Sequence, residues 1–179
     1  MRCAQPFTRS QWNALYRRHG FASILNLRGI NSNAGWYLDE KAASFAYQCD
    51  HNDLLVSSKR LPSRDTLIQM VDAFRTLPRP LLIKCAGGSD RTGLASAIYL
   101  LDINGMEALP EAYRHLTAFP YLHIPKANQR WIRELINFYA ETHHGQNIAT
   151  WIETTYSDAA LADRLESQNK GDYWKRDKR

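Results

Sequence analysis

Residues 81–93, LLIKCAGGSDRTG, constrain what this chain can fold into more than any other stretch. The apolar start, Leu81-Leu82-Ile83, has the length of a buried strand. It runs through Lys84-Cys85 into a turn of small residues, Ala86, Gly87, Gly88 and Ser89. Residues 94–103 are apolar on nearly every side, which predicts a buried helix stopped by Asn104-Gly105. A strand, a glycine turn and a helix N-terminus in that order form an anion cradle: successive amides and the positive end of the helix dipole converge on one spot. Arg91 adds a planar fork of donors suited to phosphate oxygens.

Cys85 stands at the edge of this cradle, where the field that attracts an anion also favours a thiolate nucleophile. The three cysteines of the 179 residues are an odd number, which argues against a disulfide framework and suits a reducing compartment. Cys3 and Cys49 read as small buried hydrophobes, the alternative being a reversible disulfide of either one with Cys85.

The spacing Cys85-x5-Arg91, with Gly88 and Thr92 in place, resembles the phosphate-binding loop of the cysteine-dependent tyrosine and dual-specificity phosphatase superfamily, in particular its small bacterial dual-specificity-like members. Two further stretches support the resemblance. The opening RCAQPF is similar to an R-x-x-Q-P turn of these proteins, and LNLRG at residues 25–29 to one of their strand ends. The resemblance implies a single α/β domain with a central, mainly parallel sheet of four to five strands flanked by helices. It implies phosphomonoester hydrolysis through a phosphocysteine on Cys85, with Thr92 assisting the sulfur to leave. Ala86, Gly87, Gly88, Ser89, Asp90 and Arg91 would hold the phosphate, and neither metal nor cofactor is called for.

Two positions depart from the pattern. Lys84 stands where most relatives have His, and the loop after the preceding strand, SSKR, lacks the usual carboxylate. The general acid is then Asp53, which precedes the apolar residues 54–56, or Asp90, beside the arginine as in myotubularin-like and some bacterial tyrosine/phosphoinositide phosphatases. A loop-stabilising role is the other reading of Asp90. These departures also motivate a catalytically impaired, phosphate-binding pseudophosphatase as the alternative function; a sulfurtransferase is a third.

The remaining chain reads as scaffold. Helices are expected from Ser10 to His19, over 36–47, from a Ser63 cap to Leu77, over 107–117, over 128–142 and over 157–168. Strands are expected over 21–27 and around 54–56. Arg28, after the first of these, is either a substrate contact or an ordinary surface arginine. The net charge is +5, of which the basic tail 169–179 supplies +3, leaving a phosphatase domain of residues 1–168. The tail reads as a solubilising end, or as a contact with an anionic membrane surface. The body shows no nucleic-acid pattern. Substrates in view are phosphotyrosine or phosphoserine/threonine proteins and phosphorylated inositol- or lipid-type molecules. Lys59, Arg60, Arg64, Lys126 and Arg130 either ring the pocket or are solvated surface charges. A cytoplasmic monomer is expected, because no signal-peptide core follows Met1 and no run is long enough to span a bilayer. An upstream leader or anchor stays open.

Overall fold

Alternation along the two central strands decides the layers. In β2 (Ser23–Asn26) and β4 (Leu81–Lys84) every residue is buried, as befits parallel strands covered on both faces. Ile24 and Leu82 point to one side, Leu25 and Ile83 to the other, each pair in register. In the computed structural model, which describes residues 1–174, β1 (Arg2–Cys3) and β3 (Asp50–Asp53) complete a four-stranded, wholly parallel sheet of order β1-β4-β2-β3.

One face is covered by α1 (Arg9–His19) and α2 (Gly35–Ala46), whose Trp12 and Ala43 pack with Phe21, Ile24 and Leu82. The other carries the larger core. There α3 (Arg64–Thr76) and α4 (Asp90–Asn104) pack under α6 (Trp131–Thr142), α7 (Ile148–Thr154) and α8 (Asp158–Ser167). The short α5 (Leu109–Arg114) follows a 3₁₀ turn at Gly105–Ala108 and carries Pro110 in its first turn, where the missing N–H is harmless. The fold is thus a single α/β domain with helices on both faces of a parallel sheet. Among the described residues no helix is long and apolar enough to cross a membrane.

Several boundaries differ from the sequence expectation. Thr8, not Ser10, caps α1, because Thr8 and Gln11 close a reciprocal capping box. The third strand lies at Asp50–Asp53 rather than around 54–56. Among the described residues it is an edge strand, paired only to β2, and it needs no apolar run; Leu54 and Val56 instead drop into the core just beyond it. The helix expected over 107–117 is confined to α5 and its preceding turn. Helix α7, not foreseen, is short but buries Trp151 and Ile152 completely. Residues of the expected tail fold back onto the body: Lys170 reaches Glu134 at 2.9 Å, and Tyr173 and Trp174 pack on the larger core. The basic end of the tail, 175–179, lies outside the described residues.

Candidate active site

The ends of the parallel strands at Asn26, Asp53 and Lys84 are in register, so the segments that follow all emerge at one edge of the sheet. Cys85 is the first residue past β4 and is buried, while Ala86 and Gly87 after it are exposed. The Thr92 hydroxyl donates to its Sγ at 2.9 Å and the Gly88 amide points at the same sulfur at 3.2 Å. The chain re-enters regular structure at Asp90, so the first turn of α4 faces the sulfur and supplies the positive helix end.

The N-terminal segment fixes the loop from behind. The Gln5 amide donates to the Ala86 carbonyl at 3.0 Å, and Arg2 Nη2 donates to the carbonyls of Gly88 and Ser89 at 2.6 and 3.1 Å. With these carbonyls engaged elsewhere, the loop turns the Gly88 amide toward the sulfur. Gly88 is required there. Its φ is +69°, and a Cβ would stand 2.6 Å from the Ala4 nitrogen.

Arg91 extends from the first turn of α4 and donates through Nη1 to the Leu27 carbonyl at 3.3 Å and, more loosely, to Val56 at 3.5 Å. These bonds steer the guanidinium across the strand ends. Arg28, one residue past Leu27, lays its guanidinium 3.5 Å over the Trp36 ring and donates through Nη1 to Gln5 Oε1 at 3.0 Å.

Lys84 is fully buried. Its ammonium pairs with Glu40 Oε2, donates to Gln5 Oε1 at 2.8 Å and lies 4.7 Å from the centre of the same Trp36 ring. Burial lowers the Lys84 pKa to about 8, outweighing the pull of Glu40 in the opposite direction. Burial also opposes the charge of Glu40, yet His51, Lys84 and Gln5 together hold its carboxyl below the ordinary range. Lysine here makes fixed contacts through Gln5 and Glu40, where a histidine would use two ring nitrogens.

The two acid candidates are separated by their surroundings. Asp53 does lie at the sheet edge from which Cys85 emerges, as the last residue of β3, but its carboxylate is claimed. Oδ1 accepts from Asn26 at 2.6 Å, Oδ2 from the Tyr37 hydroxyl at 2.6 Å, and His51 Nδ1 stands 3.5 Å away. Burial, reinforced by Asp53, pushes the Tyr37 hydroxyl up to about 12, so it stays a donor. Asp90 sits beside Arg91 in the loop-to-helix turn. Its Oδ1 lies 3.1 Å from His123 Nδ1 and its Oδ2 accepts from Gln129 at 3.0 Å. Gln129 also reaches Ser58 at 3.2 Å, so the segment holding Asp90 is tied to the loop after β3.

The structure therefore brings the Gly88 amide and the Thr92 hydroxyl to the Cys85 sulfur, places Ser89, Asp90 and Arg91 in the adjoining turn and the start of α4, and directs Asp53 into a separate polar cluster. Of the cations read as ringing the pocket, Arg64 is drawn away to the Tyr156 carbonyl and Arg130 lies over Tyr173; Lys59, Arg60 and Lys126 are solvent-facing. Sequence reasoning missed Glu40, His51, His123 and Gln129. Glu40 had a signal: it is a carboxylate one turn after Trp36 on the buried side of α2. His123 and Gln129 lie in an aperiodic, proline-containing segment and gave none. The three cysteines are free thiols, and burial pushes that of Cys3 up to about 12 and that of Cys49 upward.

A tyrosine phosphatase family model matches residues 11–109. Among solved structures, the core catalytic domain of the PP-IP phosphatase SIW14 from S. cerevisiae, crystallised with citrate, superposes with a TM-score of 0.53 at 19% identity, covering 94% of this chain and 87% of that one. A putative phosphatase from Shewanella putrefaciens CN-32 gives a TM-score of 0.50 at 14% identity, covering 78% and 83%. At these identities the likeness is one of fold. No curated protein sequence matches the chain.

Proposed function

The chain belongs to the tyrosine phosphatase family, and from that premise we propose that it hydrolyses phosphate monoesters through a covalent phosphocysteine on Cys85. The observation that carries this reading is the pair of donors on one buried sulfur, the Thr92 hydroxyl and the Gly88 amide, within a loop whose carbonyls are tied outward. These donors stabilise a thiolate before attack and after expulsion.

In the first step the Cys85 thiolate attacks phosphorus while Arg91 and the loop amides hold the equatorial oxygens. The P–O bond to the leaving group breaks, and Asp90 gives its proton to the departing oxygen. In the second step water attacks the phosphocysteine, Asp90 takes up the proton of that water, the S–P bond breaks and inorganic phosphate is released. His123 and Gln129 orient the Asp90 carboxyl for both steps. Phosphorylated proteins and phosphorylated small molecules both suit this chemistry.

A second reading has its own observation: with both Asp90 oxygens partnered and Asp53 sequestered, the loop would bind phosphate without turning it over. Phosphate release from p-nitrophenyl phosphate by the intact protein and by Cys85→Ser separates the two. Hydrolysis lost in the variant, with orthophosphate binding kept, fits the phosphocysteine mechanism. Orthophosphate binding with no hydrolysis by either protein establishes the binding protein, and substantial turnover in Cys85→Ser removes the covalent step.

A further inference from the structure

Arg28 is a cation beside the loop that the hydrolytic scheme leaves without a task. Leu27 N donates to the Lys84 carbonyl at 2.9 Å, which seats Arg28 at the sheet edge from which Cys85 emerges. Its guanidinium is close enough to Arg91 and Cys85 for both to act on its charge. Among the described residues no carboxylate forms an ion pair with it. The nearby Glu40 is already engaged by Lys84, Gln5 and His51. Arg28 is also held still: Trp36 supports one face of the fork and Gln5 takes one nitrogen, while Gln5 is itself anchored to the loop through Ala86. A guanidinium fixed in this way loses little further side-chain freedom on binding an anion.

The charge balance around the site sets what such a cation is for. Lys84 is answered by Glu40, and Arg2 is spent on the outer carbonyls of the loop. A phosphoryl group in the cradle is met by the amides, the helix end and Arg91. Arg28 remains as an additional, preformed planar donor next to that position.

We propose that Arg28, backed by Trp36 and Gln5, forms a subsite for a second phosphoryl group carried by the substrate next to the scissile phosphate. The substrate class is then a bis-phosphorylated molecule, whether the two groups are joined as an anhydride or esterified to neighbouring oxygens. The subsite rests on the reading of the Cys85 loop as a phosphate cradle.

The test compares binding of orthophosphate, methylenebisphosphonate and 2,3-bisphosphoglycerate by calorimetry at constant ionic strength. A charge-assisted fork contributes on the order of a 10- to 100-fold gain in affinity. The intact protein should bind at least one of the two bis-anions by about that factor over orthophosphate. The anion favoured tells an anhydride from neighbouring esters. Arg28→Gln keeps an amide toward Gln5 but lacks the charged fork, so it should bring the ratio of bis-anion to orthophosphate affinity down toward unity. Arg28→Lys should fall between. Equal affinity of the intact protein for all three anions would overturn the subsite, and this needs no variant to fold. So would a loss in Arg28→Gln that is the same for every anion, since Arg28 would then act only through its field on Cys85. Bis-anion preference without hydrolysis of p-nitrophenyl phosphate would defeat the hydrolase reading and leave the subsite standing. Hydrolysis without the preference would do the reverse, and no orthophosphate binding at all would defeat both.

Discussion

Replacing Glu40 by Gln removes one charge from the interior and leaves the shape alone. The amide oxygen still accepts from Lys84 and Gln5 and the amide nitrogen meets His51, so what disappears is the counter-charge to a fully buried ammonium. Removing one partner of a buried ion pair destabilises by about 3–5 kcal/mol. Lys84 has one escape, which is to give up its proton. From an ordinary value of 10.5 that release costs roughly 5 kcal/mol at pH 7. The two routes agree, and a loss of about 3–5 kcal/mol is expected near neutral pH. The sign of the pH dependence follows from the depressed pKa. In the native protein the Lys84 pKa is about 8. Below that value folded and unfolded chains both hold the proton and this group gives no slope. Between about 8 and 10.5 the unfolded chain binds more protons, and stability rises with pH. In Glu40→Gln the folded pKa falls further, so the rise begins at lower pH. The gap between the two proteins therefore narrows by about 1.4 kcal/mol per unit as pH climbs from 7 toward 8, then stays constant. Urea unfolding from about pH 6 to 9 measures this directly. A pH-independent loss below about 1 kcal/mol would refute the reasoning. Lys84→Met combined with Glu40→Leu should recover most of the stability, because an apolar pair carries no desolvation penalty.

Three further substitutions probe the site. Asp90→Asn should slow alkyl-phosphate hydrolysis by about 10²-fold or more while affecting aryl phosphates much less, since a basic leaving oxygen depends more on the acid. Asp53→Asn should instead lower stability by about 1–3 kcal/mol, through its bonds to Asn26 and Tyr37, with no such leaving-group dependence. A leaving-group-dependent loss in Asp53→Asn alone would reverse the assignment. Gly88→Ala should cost about 2–4 kcal/mol from the positive φ and the contact with Ala4, and weaken orthophosphate binding as β1 is pushed off the loop. Unchanged unfolding midpoints and affinity would show that the N-terminal strand does not shape the cradle.

What could be read from the chain depended on whether the physics was local. The run from Leu81 to Gly105 announces itself through apolar length, glycines and a helix stop, and each lies where expected. The Ser63 cap and amphipathic stripe of α3 are equally local. The third strand lies outside the apolar run because an edge strand is specified by backbone pairing, which the polar residues Asp50–Asp53 supply as well as apolar ones. The fate of the carboxylates was illegible for another reason. Asp90 is 33 residues from His123 and 39 from Gln129, and nothing in the intervening sequence encodes that meeting. The Lys84–Glu40 pair lay between these extremes: a lysine closing an all-buried strand requires a buried counter-charge, but only the fold says that α2 provides it.

The stitching of the loop to the first residues sets an order of events as the chain folds. The contacts of Met1 with Leu81 and of Arg2 with Gly88 join positions 80 and 86 residues apart. Pairings of such separation must overcome the entropy of closing a long loop, and they tend to form after helices such as α3 and α4 have condensed locally. A chain at that earlier stage already places Cys85 just past a strand and Arg91 in a helix, yet has no shaped cradle between them. Anion affinity thus reports the docking of β1. An orthophosphate that bound only the closed form would draw that closing step forward by mass action, and the ligand would act as the final fastener of its own pocket.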